Sequence, residues 1–349
     1  MHRNPLLTEQ RARRMLDERI QNAIYVESVP LSLRAWSVAD EPVPFEEAVG
    51  QEYKPFAVGD TWGLPWRTTW IHATGTVPED WRTRPDHEVE LVIDLGFSDS
   101  GPGFQAEGLV RHTDGSAIKG IHPRNQAVRW TEEPDEIDVY IEAASNPTVT
   151  SDGYAPTMLG RMETSGTDPI YTLRRVDVAL RDLTVWNLAQ DLTVLLELAD
   201  ELPPTSTRRA KIDVALDKAI DALDPRHIAA TATAARAELE EVLASPAHAS
   251  AHHIMATGHA HIDSAWLWPV RETKRKCVRT FSSVLNLMDQ DPDYVFACSS
   301  AQQYLWVKQT QPELYERMKK RIAEGRFIPV GGMWLESDTN MPGSEALAR

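Results

Sequence analysis

Cysteine is nearly absent from this chain: Cys277 and Cys298 are the only two in 349 residues. Two thiols cannot build the disulfide framework of a small secreted scaffold, so a reducing cytoplasm is the simplest compartment, and both suit small core positions better than reactive ones. Long apolar runs are missing too. No uncharged stretch of about 18 apolar residues occurs, which removes a membrane-spanning helix. The opening MHRNPLLTEQRARRMLDERI lacks the apolar segment of a secretory signal. Basic charge is scarce, with 36 Lys and Arg against 52 Asp and Glu, a formal net of −16. Nucleic-acid binding rests on concentrated Lys and Arg, so the acidic balance argues against it and favours neutral or cationic small molecules. What is present is ordinary for a globular protein, and the length suits two or three domains of about 150 residues each.

Four stretches differ in pattern. Residues 1–31 are a lead-in whose Met15, Leu16, Ile20 and Ile24 form one helical stripe. Residues 32–186 alternate with period two between Gly, Pro, Asp and Ser turns. Val89, Leu91, Ile93 and Leu95 share one face there, as do Ile137, Val139 and Ile141, a pattern that predicts an antiparallel β-sandwich or jelly roll. Trp62, Trp66, Trp70 and Trp130 read either as a sugar-stacking platform or as core, and core is preferred because large aromatics dominate such burial. Residues 187–250 are a helical connector, divided at Pro203-Pro204, striped by Ile212, Leu216, Ala219 and Leu223, and closed by Ser245-Pro246.

Residues 251–349 change again. A short apolar strand from Ile254 to Gly258 precedes a helix opened by Pro269 and striped by Cys277, Phe281, Val284, Leu285 and Met288. A second strand, Tyr294 to Cys298, is followed by a helix opened by Pro312, striped by Tyr315, Met318 and Ile322, and ended by Gly325. Phe327 to Val330 is the third strand. This alternation predicts parallel pairing, with functional loops at the C-terminal ends of the strands. The basic run Lys274, Arg275, Lys276 and Arg279 reads as a solvated helix face, because the apolar stripe lies on the other side. An α/β domain does not close on three strands, so a truncated or split reading frame is expected.

The segment Gly258-His259-Ala260-His261-Ile262-Asp263 falls in the first such loop. In extended backbone, residues two apart point the same way, so His259, His261 and Asp263 can converge. Imidazole nitrogen and carboxylate oxygen suit Zn²⁺; the competing reading is a set of hydrogen-bonded polar residues at a strand end.

The run His259 to Pro269, with Ser264-Ala265-Trp266-Leu267-Trp268-Pro269 after the aspartate, resembles the signature of glycoside hydrolase family 38, the α-mannosidases. The runs Cys298-Ser299-Ser300-Ala301-Gln302-Gln303-Tyr304 and Gly325 to Asn340 resemble the same family in its cytosolic and vacuolar branch. Three ordered motifs are far more specific than one short match. The resemblance implies a multidomain α and β protein, with an N-terminal antiparallel β-sandwich, a helical connector and the first strands of an α/β barrel of the seven-stranded type. It implies zinc as cofactor, with His261 and Asp263 as ligands, His259 as a neighbour that orients the site, and Trp266 as part of the floor for a terminal mannose. In the family the zinc engages vicinal sugar hydroxyls, so it acts as template and electrophile more than as activator of water.

Retention of configuration needs two carboxyl groups about 5 to 5.5 Å apart. The family's nucleophilic Asp lies in an Asp-x-Phe-Gly-type motif, which the 349 residues do not contain, and a further His ligand lies later still. The nucleophile is therefore expected downstream of Arg349, and the chain alone is expected to be inactive. Glu336 and Asp338 read either as sugar-pocket residues, with one conceivably the acid, or as groups that order the Gly331-Gly332 loop. The expected partner is a mannose-containing oligosaccharide, with neither nucleic acid nor membrane, and with a homo-oligomer open for the full-length enzyme. Two other functions compete. A metal-dependent amidohydrolase also places His-x-His at the end of its first strand, but leaves Trp266, Trp268 and the later runs unexplained. A catalytically inactive remnant with a sugar-binding or purely structural role would account for the missing nucleophile.

Overall fold

The alternating segments fold into facing antiparallel sheets. The computed structural model describes residues 5–98, 101–103, 105–133, 135–148, 162, 165–336 and 343–345. Its strands are β1 (Tyr25–Pro30), β2 (Ser32–Ser37), β3 (Lys54–Phe56), β4 (Thr61–Trp62), β5 (Thr68–Thr76) and β6 (His87–Asp94), then β7 (Glu107–Arg111), β8 (Ala117–Ile121), β9 (Ala127–Arg129), β10 (Glu136–Ala144), β11 (Tyr171–Thr172) and β12 (Arg175–Asp182). One sheet has the order β1-β12-β6-β9 and the larger one β3-β2-β5-β10-β7-β8, while β4 pairs with β11. Val89, Leu91 and Ile93 of β6 meet Ile137, Val139 and Ile141 of β10 in a single core, as the alternation predicts. The four tryptophans are buried, at 3, 6, 1 and 4% exposure for Trp62, Trp66, Trp70 and Trp130. Trp70 belongs to a second cluster on the outer face of the larger sheet, with Phe45, Tyr53 and Tyr140.

Helices fill most of the rest. The chain opens with α1 (Pro5–Met15), continued by a π turn over Leu16–Ile20, and α2 (Phe45–Ala48) interrupts the strands. The connector is α3 (Leu183–Glu201), α4 (Thr207–Ala222), α5 (Ile228–Ala237) and α6 (Glu240–Leu243). Asp182 caps α3, its carboxylate accepting from the N–H groups of Thr184 at 2.8 Å and Val185 at 3.0 Å. The lead-in helix joins this bundle: Leu16, Ile20, Leu192 and Leu216 share one core, and Arg11 pairs with Asp217 at 3.0 Å.

In the last third, β13 (Gly258–His259), α7 (Val270–Gln290), β14 (Phe296–Cys298), α8 (Ala301–Thr310), α9 (Pro312–Ala323) and β15 (Phe327–Pro329) alternate, and the three strands pair in parallel. The predicted stripe of α7 is buried throughout, from Cys277 to Met288. The strand expected from Ile254 is not there. Ile254 and Met255 are 88 and 95% exposed, because only Gly258 and His259 find a partner, on β14.

A second correction concerns the basic run. Lys276 and Arg279 are each 5% exposed, not solvated. The helix α7 lies across the outer face of the larger sheet, so β7 is buried on both sides and its alternation vanishes. Arg279 Nε meets Glu107 Oε2 at 2.8 Å, Lys276 Nζ meets Glu107 Oε1 at 2.5 Å, and Arg275 Nε meets Glu142 Oε1 at 2.8 Å. Arg111 of β7 holds the other oxygen of Glu142 at 2.9 Å, and Glu272 of α7 joins Arg275 at 3.1 Å and Arg279. At Gly120 the two backbones nearly touch: a Cβ there would stand 2.7 Å from the carbonyl oxygen of Arg279.

Burial pushes the Glu272 carboxyl up, but Arg279, then Arg275 and Lys276, outweigh it and hold it at about 2 instead of the usual 4.5. Glu107 and Glu142 are lowered by the same contest between burial and neighbouring cations. A carboxylate whose folded pKa is depressed contributes stability that is present above its unfolded value and lost as pH falls toward the folded one. The unfolding free energy should therefore decline between pH 4.5 and about 2. Glu142→Ala, which strands Arg111 and takes from Arg275 one of its two carboxylates, should cost about 3–5 kcal/mol at neutral pH. Denaturant titration checks both; an unchanged midpoint in the variant would remove the network from the stability argument.

Candidate active site

Three loops leave the C-terminal ends of β13, β14 and β15, and they converge. The first is pinned along its backbone. The imidazole Nδ1 of His259 lies 2.9 Å from the carbonyl of Ala297, Gln303 donates to the carbonyl of Ile262 at 2.7 Å, and Thr273 donates to that of Asp263 at 3.3 Å. With the main chain fixed, His261 and Asp263 turn toward each other, with Nε2 and Oδ1 3.2 Å apart. From the third loop, Glu336 Oε2 approaches the other ring nitrogen of His261 at 3.3 Å. His259 does not join them.

The second loop positions Glu336. Ser299 donates its hydroxyl to the carboxylate, and Ser300 Oγ accepts from the Glu336 N–H at 3.2 Å. Ser300 sits in the left-handed region at φ 69°, an uncommon and costly conformation for a residue with a side chain. Asp338 lies outside the described residues. Sequence reasoning assigned no role to Ser299, Ser300, Gln303 or Thr273, although the run Cys298–Tyr304 had been singled out as a motif.

The two tryptophans after Asp263 part ways. Trp268 is 8% exposed and donates its indole N–H to Thr273 Oγ1 at 3.1 Å, so it belongs to the anchor. Trp266 is 58% exposed and meets Trp268 edge-on, leaving much of its ring open beside the His261 loop. Cys298 is not a ready ligand: burial, then the charge of Glu336, pushes its thiol up to about 11. Imidazole and carboxylate oxygen are the donor types zinc takes, so His261 and Asp263 fit that metal in kind. Among the described residues, however, no group of three His, Cys, Asp or Glu is placed to hold a metal by itself.

Comparison with known proteins matches both modules. Residues 251–349 fit the glycosyl hydrolases family 38 N-terminal domain, and residues 29–179 the α-mannosidase jelly roll domain. The chain is a relative of the family 38 α-mannosidases. It is 32% identical to human alpha-mannosidase 2C1 over 342 residues, which is 95% of this chain and 31% of the relative. It is 27% identical to alpha-mannosidase G of Dictyostelium discoideum and 29% identical to the alpha-mannosidase of Saccharomyces cerevisiae, over 88 and 85% of this chain and 28 and 27% of those proteins. The chain thus spans just under a third of the curated relatives it matches. The jelly roll of these α-mannosidases corresponds to the observed β-sandwich, and the family 38 match begins just before β13 and includes all three converging loops.

Exposure separates the two tryptophans experimentally. Trp268→Ala should lower the unfolding free energy by about 3–5 kcal/mol, as large-to-small changes in packed sites do. Trp266→Ala should stay within about 0.5 kcal/mol of wild type, the usual range for surface changes. Parallel denaturation curves decide; equal losses would make Trp266 a packing residue.

Proposed function

We propose that this chain carries part of the active site of a zinc-dependent, retaining α-mannosidase that removes terminal α-mannosyl residues from oligosaccharides in the cytoplasm. One observation carries the reading: an imidazole, a carboxylate and an open indole are presented by a single loop at the C-terminal end of a parallel strand. We read β13 to β15 as the opening strands of the catalytic barrel.

His261 and Asp263 would hold the zinc, with further ligands supplied by residues beyond these two, and His259 would brace the loop. When bound, zinc supplies an electrophilic template for a sugar's vicinal hydroxyls. Trp266 offers a flat apolar face to the pyranose, while Glu336, steadied by Ser299 and Ser300, would line the sugar pocket; Asp338 is assigned to the same sugar only by its place in the motif. The hydroxyl-rich edge of a sugar then meets carboxylates and its apolar face meets the indole, which is how amphipathic rings are usually recognised.

Two measurements test this. Equilibrium dialysis with zinc should show binding that His261→Ala weakens by at least about 10- to 100-fold, the cost already seen when groups behind metal ligands are lost. Zinc held by the variant with wild-type affinity would sink the ligand assignment. Residues 1–349 supplied with zinc should not turn over an activated aryl α-mannoside, because a retaining reaction needs a positioned nucleophile and its acid partner. Zinc-dependent turnover would instead make Glu336 or Asp338 the nucleophile.

A further inference from the structure

The lead-in helix α1 rests on α4 with few buried apolar groups of its own. Its buried residues are Thr8, Glu9 and Ala12, while Leu6 and Leu7 are 62 and 55% exposed. The apolar anchor comes afterwards, at Leu16 and Ile20 of the π turn. The front of the helix is therefore held by polar groups. An acid stands on each side of that contact, Glu9 of α1 and Asp213 of α4, and both are buried.

Arg209, one turn before Asp213, donates to Glu9 Oε1 from Nε at 3.2 Å and from Nη2 at 2.8 Å. Asp213 meets the Glu9 carboxyl, and its buried Oδ1 has no donor among the described residues. Two ionised carboxylates are acceptors only, so nothing joins them while both are charged. One guanidinium also balances only one of them. Burial, then the charge of Glu9, raises the Asp213 carboxyl above its ordinary value, and Arg209 opposes that only in part. Further charges along these helices have partners of their own: Arg11 with Asp217 and Asp221, Arg13 with Asp200 of α3, Arg236 of α5 with Asp191, and Lys218 with Glu238.

We propose that Glu9 and Asp213 hold one proton between them, and that this proton latches the front of α1 onto α4. Carried by Asp213, it supplies the missing donor toward Glu9 and leaves one negative charge for Arg209 to balance. Like charges this close do not both ionise readily, which is why a carboxyl pair retains a proton. Its loss leaves two buried carboxylates against one guanidinium, and lifting α1 lets water reach both. A carboxyl raised in the folded state contributes stability that is full below its unfolded value of 3.8 and is lost as pH rises through the folded one. This dependence runs opposite to that of Glu272, and it is confined to one helix because the π turn keeps its own apolar anchor.

Hydrogen exchange over Pro5–Met15 in the whole 349-residue chain tests this. Wild type and Asp213→Asn are compared at each pH, so that the intrinsic exchange rate cancels. The asparagine keeps the shape of a protonated aspartate and donates to Glu9 as that acid would. From about pH 4 to about pH 8, protection of α1 in the wild type should fall several-fold relative to the variant, while α3 and α5 stay level. Glu9→Gln, which serves if the first variant does not fold, should flatten the dependence too, because its amide can donate to ionised Asp213. In the infrared difference spectrum between wild type and Asp213→Asn, a protonated-carboxyl band should be present and should fade as α1 loses protection. Parallel protection in wild type and variants at every pH, or a difference spectrum without that band, would overturn the proposal. So would loosening of α3 and α5 in step with α1, which marks global unfolding.

Discussion

The organisation of the C-terminal module depends on the ion network beneath α7. Three cations of that helix, two of them buried, and buried Arg111 of β7 pair with Glu107, Glu142 and Glu272. Such a network is weak evidence of net stability, because desolvating the ions offsets much of their attraction. Its strength is in orientation. Arg275 and Arg279 each reach two carboxylates at once, one on the sheet and Glu272 on the helix, and their fixed N–H directions tolerate little rotation or sliding, so α7 has one seat on the sheet. An apolar interface of the same area would allow neighbouring registers with smaller penalties.

From that seat the order passes to the site. The first turn of α7 carries Thr273, whose hydroxyl holds both Trp268 and the carbonyl of Asp263. Gln303 of α8 holds the carbonyl of Ile262, and the strained turn at Ser300 presents two hydroxyls to Glu336. The functional side chains are therefore held indirectly, through hydroxyl and amide groups on neighbouring elements. Convergence of His261, Asp263 and Glu336 is a property of three loops on one parallel sheet, held by backbone contacts on the inside.

Much of this architecture was legible in the sequence because burial on one face leaves a periodic mark. The alternation at Val89–Leu95 and Ile137–Ile141 and the stripe from Cys277 to Met288 each record one apolar surface. The same rule misled for Arg275, Lys276 and Arg279: a helix with one apolar stripe gives no sign that its charged side is covered as well. Complementary carboxylates lay about 130 to 170 residues away, on β7 and β10. The apolar character of Ile254 and Met255 misled differently, since strand formation needs a neighbour and composition cannot supply one. At the site, the residue types and spacing pointed to His261 and Asp263, whereas the rotation of His259 onto Ala297 depends on where β14 lies.

Gly120 lends the interface an asymmetry. Its backbone exchanges hydrogen bonds with the Ser283 hydroxyl at 3.1 and 3.3 Å, and an added carbon would run into the backbone of Arg279. The contact works as a gauge stop: it sets the spacing at which Glu107 meets Lys276 and Arg279, and the gap cannot widen without lengthening those contacts together. A single methyl group at Gly120, away from the three converging loops, is thus enough to act as a wedge between the sandwich and α7.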